Sequence, residues 1–433
     1  LKANEESFGT AMIPSYDFSK AKTIVSIAAD FLNSWVSPIE FTKQYALVRD
    51  AGEGQKEIAR HYQFESNLSL TGANADYRAQ IKPSEEGAVV VMLYNLIAGL
   101  AGKPTTEGGK DVKYLKAAAE ELWKNKGNAL VVAGSNDKSV QTLVNGINDM
   151  LGSYGTTILP GTPLNYRQGN DDKMNAFVEE LAAGKVAGVI FYNCNPVYDH
   201  PAGDKIAAAL KNVTLTLSTS YKEDETATLT SFLAPDHHYL ESWNDAEPKK
   251  NFFSLGQPAI TPIFKTRSAQ ESFLKWAGES NTDYFEFLKA NWKARFFKGG
   301  NFQQFWDKCL YDGVYELPTE STSVTFNGDI NAAVNAVASS YKSGSGYELV
   351  IYENGTVGNG SQANNPLLQE LPEPITKAVW DHYVLISQKD AAKEGITNPE
   401  SKTKLATITV NGKSVKVPVL IQPGLAQGVL AIA

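Results

Sequence analysis

Polar loops that follow two predicted strands hold the side chains best suited to bind a ligand. The apolar segment Val186–Tyr192 is predicted to be a strand buried on both faces, because no polar residue interrupts it. A helix over Ala202–Leu210 and a strand over Val213–Ser218 complete a strand–helix–strand unit. Ligands of parallel sheets bind beyond the carboxyl ends of the strands. Any site is therefore predicted in the loops Asn193–Pro201 and Ser220–Glu225.

A second group of residues, further along the chain, has the chemistry of metal ligands: Asp236, His237, His238 and Glu241. Adjacent histidines point to different faces of any regular structure, so at most one of them can join Glu241. The HExxH spacing that places two imidazoles on one helical turn is absent. The pattern favours a hydrogen-bonded loop beside Trp243 over a metal site, and we predict no metal site.

Several short patterns could support catalysis but are unspecific. Asp199–His200, Asp224–Glu225 and Glu85–Glu86 are adjacent polar groups, which more often cap turns, begin helices or face solvent than act as acid–base pairs. Residues 99–103 lack the four intervening residues of a phosphate loop. Residues 355–360 have the glycine spacing of the dinucleotide fingerprint in reverse. We predict no catalytic residue.

Composition limits the class of protein. A net charge of −8 argues against nucleic-acid binding. The longest apolar run, Gly87–Gly102, is shorter than the roughly 20 residues that span a bilayer, so we expect a buried helix there and no membrane span. Cys194 and Cys309 cannot supply the four thiolates of an iron–sulfur cluster, so none is predicted in this segment. The two cysteines could form one disulfide or remain as two reduced thiols, and the reduced state is favoured. The chain begins at Leu1 rather than Met, so we expect targeting information to lie outside it.

Strands alternate with helices over two stretches of the chain. The alternation predicts two α/β layers with parallel sheets, Ala21–Gly102 and Asn128–Arg267, joined by a helix over Asp111–Lys126. Aromatic helices follow from Ser268, with Trp276, Trp292 and Trp306 as expected packing anchors. Short strands after Gly344 predict a small β-barrel. The predicted fold class is α/β: two Rossmann-like parallel-sheet domains, 1–127 and 128–343, and a C-terminal barrel, 344–433.

Several of these segments, taken together, resemble molybdopterin oxidoreductases. They are Ala21–Pro38, His61–Gly87, Phe191–Pro201, Asp224–Ala246 and Gln257–Glu271, with Ala363–Ser387 and Pro418–Leu430 similar to the barrel domain of that family. The chain is most similar to the molybdopterin-oxidoreductase-like half of the large subunit of alternative complex III, a bacterial quinol:electron acceptor oxidoreductase. The resemblance covers nearly the whole chain.

The resemblance also implies where a cofactor would bind. In the family a pterin guanine dinucleotide lies between the two α/β domains and the barrel. The positions that match are Asn193, Asn195 and Pro196 in one loop, Asp224, Glu225 and Thr226 beside it, Asp30 with Ala29 and Phe31 at the other sheet, and Asn364, Asn365 and Gln369 in the barrel.

The charges near these positions do not suit a pyrophosphate, which attracts Arg or Lys. The first basic residue after Asn193 is Lys205, and Lys222 is offset by residues 223–225. With the resemblance to alternative complex III, this implies a structural domain without a molybdenum cofactor. Its expected partners are the iron–sulfur domain and the haem and membrane subunits of a respiratory complex, on the periplasmic side of the bacterial inner membrane.

Two alternatives stay open at this point. The chain could be a fragment of a catalytic subunit that binds molybdenum through bis-molybdopterin guanine dinucleotide. It could also be a nucleotide-binding α/β protein of another class. Whether the chain acts as an enzyme is left open by the residues.

Overall fold

A computed structural model describes residues 1–52, 57–320, 322–342, 344, 346–397 and 403–433. These residues form two compact units, and we use the names unit 1 for Leu1–Pro163 with Glu320–Ala433, and unit 2 for Leu164–Thr319. That residues 1–127, 128–343 and 344–433 are separate domains stays a prediction, and its boundary residue 343 lies outside the described residues.

The strands of the described residues are β1 Ile13–Tyr16, β2 Thr23–Ile27, β3 Arg60–Glu65, β4 Tyr77–Gln80, β5 Ala129–Ala133, β6 Ile158–Leu164, β7 Gly188–Phe191, β8 Leu215–Ser218, β9 Phe232–Leu233, β10 Asn244–Lys249, β11 Phe252–Gly256, β12 Val314–Glu316, β13 Glu348–Ile351, β14 Val384–Ile386, β15 Leu405–Val410, β16 Lys413–Ile421 and β17 Val429–Ile432.

The α-helices are α1 Lys2–Phe8, α2 Pro38–Arg49, α3 Leu70–Ala73, α4 Pro83–Leu100, α5 Leu115–Lys124, α6 Lys138–Met150, α7 Asp171–Ala182, α8 Pro196–Asp199, α9 Gly203–Leu210, α10 Ala269–Trp276, α11 Tyr284–Phe296, α12 Phe302–Asp312, α13 Ile330–Ser340, α14 Pro366–Glu370 and α15 Gln388–Lys393. Two short 3₁₀ helices cover Phe18–Lys20 and Ala227–Leu229.

Unit 1 contains a fully parallel sheet with strand order β4-β3-β2-β5. Successive residues of a strand point to opposite faces, and both faces of this sheet are buried. Val25 and Val131 pack against helices α4, α5, α6 and α13 on one face. Ile24 and Leu130 pack against an aromatic layer that includes Phe41 on the other. We call this sheet 1.

The strand Ala129–Ala133 belongs to sheet 1, where it pairs with Thr23–Ile27. The prediction that this strand begins the second α/β layer, Asn128–Arg267, is wrong. The alternation of strands and helices is a local pattern, whereas strand pairing is decided by contacts between distant segments. The strand therefore pairs in sheet 1, although its local sequence gives no sign of this pairing.

Unit 2 contains a smaller parallel sheet, β7-β8-β9, which we call sheet 2. Helices α7 and α9 cover one face, where Phe191 is 4% exposed. On the other face Ile190 and Leu215 are each 47% exposed, and Phe232 is 58% exposed. The prediction that Val186–Tyr192 is buried on both faces is therefore wrong. The apolar run forms the strand, but only one layer of helices packs on it.

An aromatic cluster forms the second core of unit 2. The antiparallel strands β10, β11 and β12 pack against helices α11 and α12, with Trp292 and Trp306 fully buried. Trp276 is 47% exposed and contacts Phe273 at its edge, so it is not the packing anchor that we predicted. Cys309 is buried in this cluster, Cys194 is exposed, and neither is disulfide-bonded.

The C-terminal part of unit 1 is a curled, mixed sheet with strand order β13-β17-β14-β16-β15. Separate apolar clusters pack on its two faces. Asn411 and Gly412 connect β15 to β16 with φ angles of 50° and 79°, the two left-handed residues that a tight type I′ turn requires. The predicted α/β fold with a barrel-like C-terminal sheet is confirmed.

Helix α4 is the long apolar segment, and it is largely buried in unit 1. It begins at Pro83, with Lys82 as the N-cap residue. The amide and hydroxyl of Ser84 donate to Glu348 at the start of β13. Within the described ranges, no helix is long and apolar enough to cross a bilayer.

Candidate ligand-binding edges of the two parallel sheets

The edge of sheet 2 is organised by the side chain of Asn195. Its carbonyl oxygen accepts hydrogen bonds from the Thr226 amide, at 3.1 Å, and the Thr226 hydroxyl, at 2.7 Å. Its amide nitrogen donates to Glu225 at 2.7 Å. The Thr226 hydroxyl in turn accepts from the Val197 amide. Three of the predicted site residues therefore bind one another, and both polar atoms of the Asn195 amide are engaged.

The remaining predicted residues of unit 2 shape the same two loops. Asn193 has a φ of 50°, the left-handed conformation that asparagine tolerates at a sharp turn. Pro196 begins α8, where its missing N–H costs no helical hydrogen bond. Asp224 accepts from the Ala227 amide at 2.8 Å and so begins the 3₁₀ helix. These roles are structural, and their role in binding a nucleotide stays a prediction.

The loop Asp236–Glu241 uses its carboxylates as acceptors for backbone amides. Asp236 accepts from His237 and Ala269, and Glu241 accepts from His238. Burial raises the pKa of Asp236. Among the described residues, no group of three or more His, Cys, Asp or Glu side chains is placed to hold a metal ion.

The edge of sheet 1 contains Asp30, the predicted site residue of unit 1. Its carboxylate accepts from the amide and the hydroxyl of Thr71, at 3.0 and 2.7 Å. Burial raises the pKa of Asp30, although the bonds from Thr71 oppose that shift. Asp30 therefore joins the loop after β2 to helix α3.

A row of buried polar side chains, which we call the polar row, lies beside Asp30. It consists of His61, Gln63 and Glu65, alternate residues of β3 that point to one face, with exposures of 0, 0 and 3%. The Gln63 amide nitrogen donates to Glu65 at 2.9 Å, so its oxygen faces the His61 Nε2–H at 3.3 Å. His61 Nδ1 lies 3.2 Å from the Tyr45 hydroxyl, which donates to the Asn74 carbonyl at 3.1 Å. Burial lowers the pKa of His61 to about 4, so the imidazole is neutral at pH 7.

The polar row ends in an ion pair at the carboxyl edge of sheet 1. Glu65 accepts from Arg78 Nε at 2.5 Å and from the amide and hydroxyl of Ser69. A Cβ at Gly72 would overlap the Glu65 carboxylate, so this position needs glycine. One guanidinium nitrogen, Arg78 Nη2, and the side-chain oxygen of Asn67 are buried without a hydrogen-bond partner.

One segment of the C-terminal part of unit 1, residues 424–426, lies over the carboxyl edge of sheet 1. The Ala426 amide donates to the Ser66 carbonyl at 2.8 Å, and Gln80 donates to the Leu425 carbonyl. Gly424 has a φ of 87°, and a Cβ there would lie 3.5 Å from Arg78 Nη1. Residues 424–426 therefore cover the ion pair of Glu65 and Arg78.

The predicted residues of the barrel lie on a surface loop. Asn365 caps helix α14 by accepting from the Leu367 amide at 3.0 Å. Gln369 donates its side-chain amide to the Ala363 carbonyl. Asn364 is exposed. Two of the three side chains thus bind within their own loop, and their role toward a cofactor stays a prediction.

The sequence contains a signal of the polar row, which periodicity alone does not distinguish from a solvated face. In the segment His61–Glu65 every second residue is polar while Tyr62 and Phe64 are apolar. This alternation usually indicates a strand with one solvated face, so the polar side appeared unremarkable. Its burial follows from the aromatic layer that covers this side of sheet 1, where the Phe31 ring centre lies 5.3 Å from that of His61.

Comparison with known proteins finds a curated relative and similar solved structures. No protein-family model matches the chain. The menaquinone reductase, molybdopterin-binding-like subunit of Nitratidesulfovibrio vulgaris is 25% identical over 310 residues, which are 62% of this chain and 44% of that protein. The chain therefore spans less than half the length of this relative. Acetylene hydratase from Pelobacter acetylenicus superposes with a TM-score of 0.66 at 10% identity, covering 99% of this chain and 72% of that one.

Parallel sheets, a curled C-terminal sheet and polar loops at the sheet edges define a class of protein with the fold of molybdopterin enzymes. The similarity in sequence to a molybdopterin-binding-like subunit and the shared fold confirm the resemblance to molybdopterin oxidoreductases seen in the sequence.

Proposed function

We propose that this chain is part of a molybdopterin oxidoreductase-like subunit of a membrane-associated quinol or quinone oxidoreductase, and that it serves there as a structural component without a molybdenum cofactor. The curated relative, a subunit of a menaquinone reductase, supports the assignment to a respiratory complex. The finer assignment, to alternative complex III, is supported by the sequence resemblance.

One observation carries the proposal of a cofactor-free role: a polar side chain at each sheet edge is already bound by neighbouring side chains. Arg78 is neutralised by buried Glu65, and Asn195 is engaged by Thr226 and Glu225. A pyrophosphate brings two negative charges and needs cations or free N–H groups. The carboxylate of Glu65 binds Arg78 Nε and balances the charge of this guanidinium, which disfavours a pyrophosphate there. The residues of these edges do not fit the cofactor.

The charge of the neighbouring loop supports the same conclusion. Glu225 is exposed beside Asn195, and residues 223–225 place three carboxylates at the edge of sheet 2. Lys222 lies over the Tyr221 ring, with its nitrogen 5.8 Å from the ring centre. A nucleotide phosphate here would face more negative than positive charge, and repulsion between like charges opposes its binding.

Metal analysis of the natively purified complex tests the proposal. We expect iron from the electron-transfer subunits and no stoichiometric molybdenum or tungsten. A molybdenum enzyme purified from the same cells controls for metal supply. Stoichiometric molybdenum, together with a pterin released on denaturation, would overturn the proposal.

A second candidate function is favoured by the buried atoms without partners. Arg78 Nη2 and Asn67 Oδ1 are a donor and an acceptor at the edge of sheet 1. In a catalytic molybdenum subunit they would be free to contact the polar end of the cofactor. This candidate predicts that Arg78→Gln lowers the molybdenum content of the complex, whereas the structural role predicts that no variant changes it.

The partners and location follow from the proposed role. We propose contacts with iron–sulfur and haem or membrane subunits on the periplasmic side of the inner membrane. Protease added to intact spheroplasts should then digest this chain, while a cytoplasmic marker protein survives. Protection of the chain until the cells are lysed would contradict the periplasmic location.

A further inference from the structure

A surface loop of unit 1 displays large apolar side chains. Four of them are strongly exposed: Leu367 by 75%, Leu371 by 52%, Val379 by 42% and Trp380 by 54%. We call residues 365–381 the lobe. Exposed apolar residues scattered singly need no explanation, but a contiguous group of them marks an interaction site.

Hydrogen bonds bring these four side chains together. Leu367 and Leu371 are four residues apart at helix α14, which places them on one face. The Trp380 amide donates to the Gln369 carbonyl at 2.9 Å, which brings the second apolar pair to the same helix. The four exposed apolar side chains therefore belong to two segments that are joined by a backbone hydrogen bond.

The backbone of the lobe is fixed from inside. Glu373, 5% exposed, accepts from the amides of Ile375 and Thr376. The Thr376 hydroxyl bonds to the Tyr383 hydroxyl at 2.7 Å, which ties the lobe to β14. Lys377 and Trp380 have φ angles of 59° and 71°. A left-handed conformation is unfavourable for residues other than glycine, and here these bonds hold it.

The charges at the rim of the lobe point to the kind of partner. Glu370 and Asp381 are exposed and are next in sequence to Leu371 and Trp380. The single ammonium group of Lys377, which donates to the Pro374 carbonyl at 2.7 Å, offsets these two carboxylates only in part. Anionic lipid headgroups would repel a carboxylate rim on a chain of net charge −8. A protein groove with basic residues at its rim complements it.

We infer that the lobe is the docking element through which this chain binds another protein subunit, with Trp380 inserted into an apolar groove that Lys or Arg residues border. Exposed tryptophan is the residue type most enriched at the centre of protein interfaces. The inference rests on the proposed function for the existence of a complex, but not on the absence of a molybdenum cofactor.

Photo-crosslinking in the native complex tests this inference. A photo-reactive amino acid is placed at position 380 of the full chain, and at position 47 as a control, because Leu47 is 61% exposed in the same unit but outside the lobe. We expect a crosslink from position 380 to a peptide of another subunit that has Lys or Arg nearby. A crosslink to lipid, to a second copy of this chain, or to nothing would overturn the inference.

Substitutions give an independent readout. Trp380→Ala should weaken association with the crosslinked subunit by roughly tenfold or more, the size expected for a central interface tryptophan. Glu370→Lys with Asp381→Lys should weaken it further at low salt, and Leu47→Ala should leave it unchanged. Molybdenum measured in the same preparations separates the two proposals: its presence would overturn the cofactor-free role while leaving the docking result as it stands. Unchanged association of both lobe variants would overturn the docking role alone.

Discussion

Two parallel sheets in this molecule are built from similar apolar strands but are covered differently. In sheet 1, Ile24, Val25, Leu130 and Val131 are fully buried, because helices pack on one face and aromatic side chains on the other. In sheet 2 the face with Ile190, Leu215 and Phe232 stays about half-exposed. Parallel sheets are almost always covered on both faces. The comparison teaches that an apolar run specifies a strand, whereas its burial depends on the layers that the rest of the protein supplies.

The largest expected effect compares one isoleucine from each sheet. Ile24→Ala should destabilise unit 1 by about 2–5 kcal/mol, because it leaves a cavity in a fully packed core. Ile190→Ala should cost less than about 1 kcal/mol, because half of that side chain is already in water. Hydrogen exchange measured separately in the two units checks both values. Equal losses of stability for Ile24→Ala and Ile190→Ala would contradict this difference between the two sheets.

The next effect concerns pH and is specific to sheet 1. An unfolded histidine binds a proton near pH 6.5, but folded His61 does so only near pH 4, because it is buried. The unfolded state therefore gains protons first, and the stability of unit 1 falls as pH drops from 6.5 to 4, by about 3 kcal/mol. The loss is complete below pH 4 and absent above 6.5.

The difference between the native chain and His61→Gln isolates this contribution from other titrating groups. The variant should lose the extra pH dependence in unit 1 and leave that of unit 2 as it was. An identical pH profile for the two proteins would mean that His61 does not stay neutral in the folded state.

Two glycines at strand ends, one in each sheet, test the same difference in packing between sheet 1 and sheet 2. A Cβ at Gly134, just after β5 in sheet 1, would overlap the Ala28 carbonyl oxygen. Gly134→Ala should therefore cost about 1–3 kcal/mol. A Cβ at Gly188 in sheet 2 would meet Leu215 at 3.5 Å, an ordinary contact, so Gly188→Ala should be neutral or stabilise by about 0.5 kcal/mol. Denaturant unfolding of both variants measures whether each substitution lowers or raises the free energy of unfolding.

The smallest effect is local to the loops at the edge of sheet 2. Asn195→Ala removes the acceptor for two groups of buried Thr226, and should cost about 1–2 kcal/mol. Exposed Asn212, at the end of α9, provides the control, and Asn212→Ala should change little. Faster hydrogen exchange confined to residues 193–199 and 224–230 would match the expectation. No change there would contradict the role of Asn195 in joining the loops.

The features that could be predicted from the sequence are those set by local chemistry. The Asn411–Gly412 turn, helix α4 and the α/β class follow from turn residues and periodicity, and each is present. Sheet membership of Ala129–Ala133 could not be predicted this way, because pairing joins segments about a hundred residues apart. The candidate site shows the same difference between features set by local sequence and features set by long-range contacts. The loops were located correctly at the strand ends, but the Glu65–Arg78 pair was missed because its burial depends on long-range packing.

The hydrogen bonds along the polar row are donated in one direction, from His61 through Gln63 to Glu65. Gln63 donates toward Glu65 and accepts from His61, so rotating its amide would place two acceptors, or two donors, against each other. The tautomer of the imidazole at one end of the strand is thus set by the charge of the carboxylate at the other. Related proteins that lack the acid should also differ at the histidine, so these positions of β3 are expected to covary as a set.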